Sequence, residues 1–201
     1  MKIINAQLTF RGQLTPLDLQ DIEFITIHHM AAKTATVSEI HQWHLHKGWW
    51  GFGYNEYIRK NGDVYIGRGD NVGAHTAGYN DNGYGIGVEG DYNVETKMPK
   101  AQFDSLVERV KHHQNRLPRK PRVLPHSQCT PTDCPGKNFP MIELYEAIST
   151  RNEEPAWKFE GIEKLARMGL LNTPDEWIKK INEPMPVWAC MLILSRIAER
   201  G

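Results

Sequence analysis

Residues 23–29, Glu-Phe-Ile-Thr-Ile-His-His, form an apolar, β-branched run ending in two histidines, and Met30-Ala31-Ala32-Lys33 then breaks the extended pattern. The run predicts a strand that carries imidazoles at its far end. Side chains alternate along a strand, so His28 shares a face with Phe24 and Thr26, while His29 shares one with Ile25 and Ile27. His28 therefore takes the more polar side.

Outward from this strand the pattern becomes mixed α/β. Thr36-Val37-Ser38-Glu39 has the form of a capping box, and Val37, Ile40, His41 and His44 follow at helical spacing, which predicts a helix over 37–47 with His41, His44 and His46 on its surface. Tyr54–Lys60, Asn61-Gly62 and Asp63–Gly67 read as strand, tight turn and strand, because Asn-Gly supplies the positive φ angles of a two-residue hairpin. The glycine-rich stretch 67–83 predicts a surface loop close to a ligand, and 84–90 a further strand. Phe103, Leu106, Val107 and Val110 place one apolar face on a helix over 99–117. Six prolines between 118 and 140 predict an irregular, stiffened loop, and 141–149 a short closing helix.

The 201 residues suit one catalytic domain, 1–149, a polar linker, 150–156, and a small helical C-terminal module, 157–201, open to cell-wall binding, dimerisation or simple completion of the core. Lys plus Arg and Asp plus Glu both number 24, so no basic field attracts nucleic acid. The longest apolar run, Val187–Leu194, is far short of the ~20 residues of a membrane span, so no membrane insertion is expected. The first thirty residues lack the pattern of a secretory signal peptide, so synthesis in the cytoplasm is expected. Three cysteines, an odd number, leave thiols free for metal or packing.

His126 and Cys134 stand eight apart in the proline-stiffened loop PHSQCTPTDCPG, residues 125–136. Imidazole and thiolate are natural zinc ligands, but the paired ligands usual in structural zinc sites are missing. A site with three protein ligands and one open position fits better, and His28 is the best third ligand.

Four blocks now in view, ITIHH at 25–29, GWWGFGYNEYIRKNGDVYIGR at 48–68, GAHTAGYNDNGYGIGVEG at 73–90 and PHSQCTPTDCPG, resemble the zinc N-acetylmuramoyl-L-alanine amidases, which include phage endolysins and peptidoglycan-recognition proteins. The resemblance spans about residues 23–145. It implies a mixed central β-sheet flanked by helices, with a groove holding one zinc ion on His28, His126 and Cys134. It implies cleavage of the amide between N-acetylmuramic acid and L-alanine of the stem peptide by zinc-activated water. Lack of a signal peptide adds the expectation of a phage or prophage endolysin that reaches the wall through a holin or lysis.

By the same resemblance Tyr54 orients water or steadies the oxyanion, and Thr132 donates a hydrogen bond to the tetrahedral intermediate. The general base stays open among Tyr54, Glu89 and Glu56. Some relatives place a catalytic glutamate at the position held here by Gly87, two before Glu89. Glu56, two after Tyr54, is expected on the same strand face, and Asn55 stands where histidine is common. His75 and Asn80 are candidates for substrate contact, as is Trp50, for which core packing is equally open. Cys129 reads as a buried free thiol. The alternative function is a module that binds peptidoglycan without cutting it.

Overall fold

The computed structural model describes residues 1–149, 156–171, 173–180 and 187–198. The chain divides into two compact units, Met1–Met141 and Ile142–Gly201. The expected linker lies almost wholly outside the described residues.

The first unit is built on six strands: β1 (Ile3–Asn5), β2 (Phe24–His29), β3 (Glu56–Ile58), β4 (Val64–Ile66), β5 (Gly83–Val88) and β6 (Arg122–Pro125), in the order β1-β4-β3-β5-β2-β6. Only β3 and β4 run antiparallel, as the Asn-Gly turn requires; the other pairs are parallel. The sheet is therefore mixed, as expected. β1 and β6 depart from the sequence reading. The prolines of 118–140 suggested loop throughout, yet Arg122–Leu124 pair beside Phe24–Thr26, and Pro125, lacking an N–H, falls at the strand's end.

Helices cover both faces. α1 (Val37–His46) starts on the expected capping box, in which Thr36 accepts from the Glu39 N–H and Glu39 accepts from the Thr36 N–H. Its Val37 and Ile40 join Ala35, Phe52, Tyr54 and Tyr57 in one apolar cluster. α2 (Lys100–Arg116) lies against the opposite face, where Gln102 donates to the Ile58 carbonyl and Arg109 to Glu56. Burying Leu106 and Val110 there stabilises by roughly 1.5–3 kcal/mol per side chain.

His41 and His44, expected on the surface of α1, are instead buried, at 5% and 3% exposure. Their Nδ1 atoms accept the Phe52 and Gly53 N–H groups at 3.1 and 2.9 Å, so they satisfy backbone donors that the helix would otherwise seal off from water.

The second unit contains α3 (Met141–Ile148) from its second residue on, α4 (Ala156–Arg167), α5 (Pro174–Lys179) and α6 (Val187–Ala198). Leu170, Leu171 and Ile193 form its buried centre, with Ile162, Leu165, Ala166 and Trp177 around them. Cys190, expected in a helical core, has a side chain outside the described residues. No described helix is long and apolar enough to cross a membrane.

Candidate metal centre

β2 delivers His28 to the sheet's carboxyl end, and the loop after β6 delivers the other two donors. That loop turns sharply, with Cys129 and Thr130 N–H groups both donating to the His126 carbonyl. The Ser127 N–H then donates to the Cys134 carbonyl at 2.8 Å, which folds Cys134 back beside His126. Gly136, at φ +104°, lets the chain pass the backbone of Tyr92 and Asn93, where a Cβ would come within 2.5 Å.

One donor atom from each of His28, His126 and Cys134 lies within 4.8 Å of the others. The Cys134 Sγ is 3.7 Å from His28 Nδ1, and the two imidazole rings are 4.4 Å apart by centroid. A tetrahedral zinc with bonds of ~2.3 Å to sulfur and ~2.1 Å to nitrogen would separate those donors by about 3.6 Å. The residues thus fit zinc in both chemistry and spacing.

Their electrostatics suit the same purpose. Burial holds His28 well below its ordinary value, with His75, His126 and His29 adding to the effect, and burial also lowers His126. Both imidazoles are therefore neutral at pH 7, the form that offers a lone pair. Burial pushes the Cys134 thiol up to about 12, so a bound cation must displace its proton.

Tyr54 stands beside the donors, its ring 5.2 Å from that of His28, and Phe52 and His44 pack around it at 5.6 and 5.9 Å. Burial raises its hydroxyl pKa, as would charge on Cys134, so it stays a phenol that can donate. Thr132 is exposed, and its Oγ1 accepts the Cys134 N–H at 3.3 Å.

Glu56 is not with Tyr54. A bend at Asn55 slips the alternation, so Tyr54 and Tyr57 share the α1 side while Glu56 enters the α2 side. The bend is fixed by Asn55, whose side chain accepts from the Gly85 N–H and donates to the Gly69 and Asn71 carbonyls. Glu56 meets Arg109 through two hydrogen bonds, of 2.6 and 2.9 Å, and His113 Nε2 at 2.9 Å. Burial opposes its ionisation, but these partners together bring the carboxyl down to about 2.

Glu89 is also committed elsewhere. Its oxygens accept from Arg59 in a fork and from the Lys60 and Ala35 N–H groups, and none of its bonds runs to the metal donors. The three glycines of β5 leave one face bare: a Cβ at Gly83 would strike the Tyr79 carbonyl, at Gly85 the His75 ring, and at Gly87 the Tyr54 ring.

His75 and Asn80, expected against substrate, lie behind the metal donors. His75 is buried with Nδ1 3.2 Å from His28 Nε2, and Asn80 Oδ1 accepts the His75 and Thr76 N–H groups. Trp50 is 49% exposed and packs against Gly12, with no described contact to the donors. Cys129 is a free thiol, half-buried. Thr76 and Thr130 escaped the sequence reading, and Asn55 entered it only as a departure from relatives, because each acts through a hydrogen bond that only the fold creates; Thr130 Oγ1 sits 3.0 Å from His126 Nε2.

In fold and family the chain is similar to peptidoglycan-related hydrolases and recognition proteins. The chain belongs to the N-acetylmuramoyl-L-alanine amidase family, Amidase_2, which it matches over residues 18–137. It is 32% identical over 142 residues to the N-acetylmuramoyl-L-alanine amidase of Sus scrofa, covering 63% of this chain and only 23% of that protein. It is 32% identical over 125 residues to the endolysin of Enterobacteria phage K11, covering 58% and 82% of the two chains. Among solved structures, the amidase LysC from Clostridium intestinale superposes with a TM-score of 0.66 at 32% identity, covering 72% of this chain and 95% of that one.

Proposed function

We propose that this chain is a zinc amidase of bacterial peptidoglycan, cutting the bond between N-acetylmuramic acid and the L-alanine of the stem peptide. The observation that carries the reading is the set His28, His126 and Cys134, spaced for zinc with the phenol of Tyr54 alongside. Family membership supports the same bond as the target. The likeness to a phage endolysin supports action on the cell wall after release by a holin or by lysis.

Zinc bound there would supply a Lewis acid that acidifies water and polarises the carbonyl. His28, His126 and Cys134 would hold it. Tyr54, kept protonated by burial, donates to charge developing on the substrate oxygen. Thr132, exposed beside Cys134, has its hydroxyl hydrogen free to donate in the same step. Glu89 braces Arg59, Lys60 and Ala35 rather than moving a proton, and Glu56 works on the other face of the sheet.

The test is release of free alanine amines from purified cell wall, with chelator and then with zinc restored. Release that stops with chelator and returns with zinc is the expected result. Binding to wall without chelator-sensitive release would leave a recognition module instead.

A further inference from the structure

We propose that His75, with Thr76, is a positioning residue that fixes which nitrogen of His28 faces the metal. The inference rests on the metal reading above and assigns His75 a role in place of substrate contact.

His28 Nδ1 is the nitrogen 3.7 Å from the Cys134 sulfur, on the side where the donors converge. For Nδ1 to offer a lone pair, the single proton of a neutral imidazole must sit on Nε2. That N–H is buried, His28 being 2% exposed, and needs an acceptor. Two are in reach: His75 Nδ1 at 3.2 Å and Thr76 Oγ1 at 3.3 Å. Thr76 Oγ1 is in turn 2.9 Å from His75 Nδ1, so its hydroxyl can donate there while its lone pair faces His28.

The surroundings hold this arrangement in place. Asn80 grips the His75 and Thr76 backbone through one oxygen at 2.9 and 3.0 Å. The His75 ring lies on Gly85 and beside Gly73, where any Cβ would come within 2.4 and 2.3 Å of it. The glycine-rich segment thus seats an acceptor beneath a metal ligand. Partners of this kind orient the ligand and raise its basicity.

The experiment measures zinc affinity by competition with a chromophoric chelator for the unaltered protein, His75→Leu and His75→Asn, with 15N spectra of the His28 ring in the metal-free unaltered protein. Leucine fills the space without an acceptor, and asparagine restores an oxygen near the place of Nδ1. Expected are a loss of about 10- to 100-fold for His75→Leu, affinity within about threefold for His75→Asn, and a His28 proton on Nε2. If the unaltered protein takes up no zinc, the metal reading itself falls. If it binds zinc and His75→Leu binds within about threefold as well, the positioning role is overturned while the metal centre stands. Should His75→Leu not fold, or both variants weaken alike, the ring spectra decide: a His28 proton on Nδ1 overturns the proposal, and one on Nε2 supports it.

Discussion

Tyr54 and Glu56 are two residues apart and lie on opposite faces of the sheet. The Tyr54 ring packs on Gly87 beside His28, whereas the Glu56 carboxylate is forked by Arg109 from α2. The Asn55 bend that separates them turns one side of this short segment toward the candidate metal donors and the other toward a cohesive ion-pair cluster.

On the cohesive side, Glu56→Gln leaves Arg109 and His113 buried without their carboxylate, which should cost about 3 kcal/mol. Zinc uptake should persist. Chemical denaturation with a parallel zinc titration checks both halves of that expectation.

The same cluster sets an acid limit. The folded value of Glu56, about 2, lies below its ordinary 4.5, so its stabilisation is present above 4.5 and disappears as pH falls toward 2. His113 is held below 6.5 chiefly by burial, against the pull of Glu56, so the unfolded chain takes its proton first and stability begins to fall as pH passes 6.5. Unfolding midpoints from pH 7 to pH 2 should decline steadily, and Glu56→Gln should flatten the part below 4.5.

On the chemical side, Cys134→Ala should abolish tight zinc binding and with it wall hydrolysis. Tyr54→Phe should keep zinc and lose about 10²–10³ in rate, the usual cost of one oxyanion donor. Metal analysis beside amine release separates the two; retention of full zinc by Cys134→Ala would mean that the ligand set is wrong.

Glu89→Gln tests the remaining carboxylate. Because both oxygens are bound to Arg59 and to backbone N–H groups, the variant should melt earlier yet keep its turnover within about threefold below its melting range. A rate loss of a hundredfold with unchanged melting would restore Glu89 as the base.

Gly87→Ala would set a Cβ 3.0 Å from the Tyr54 ring. The ring must shift by a few tenths of an ångström, so activity should fall severalfold while zinc affinity holds. Steady-state rates and a zinc titration on the same preparation decide it.

Much of the cluster of candidate metal donors was legible because its signals are local. The strand that carries His28 and ends at His29 is set by its β-branched run, and the His126 to Cys134 spacing lies within one loop. Glu56 was misplaced because parity was carried through Asn55, whose bend depends on bonds to Gly69, Asn71 and Gly85. His41 and His44 looked like surface residues because helical spacing does not reveal the backbone of 52–53 that they serve. Strand β6 was hidden by Pro121 just before it and Pro125 at its last position, a strand end where a residue without an N–H is tolerated. His75 was read from the place its glycine-rich stretch takes in relatives, and only the fold brings it under His28.

The bare face of β5 has a consequence for how such a domain can change. A strand face without side chains contributes no texture of its own, so the floor of the site takes its shape from the rings that the neighbouring segments lay upon it. Loops are easily exchanged, and new rings could recut that floor with the strand untouched. Gly85 and Gly87 have less latitude: a methyl group at Gly85 would displace the His75 ring, and one at Gly87 would push the Tyr54 ring aside by a few tenths of an ångström.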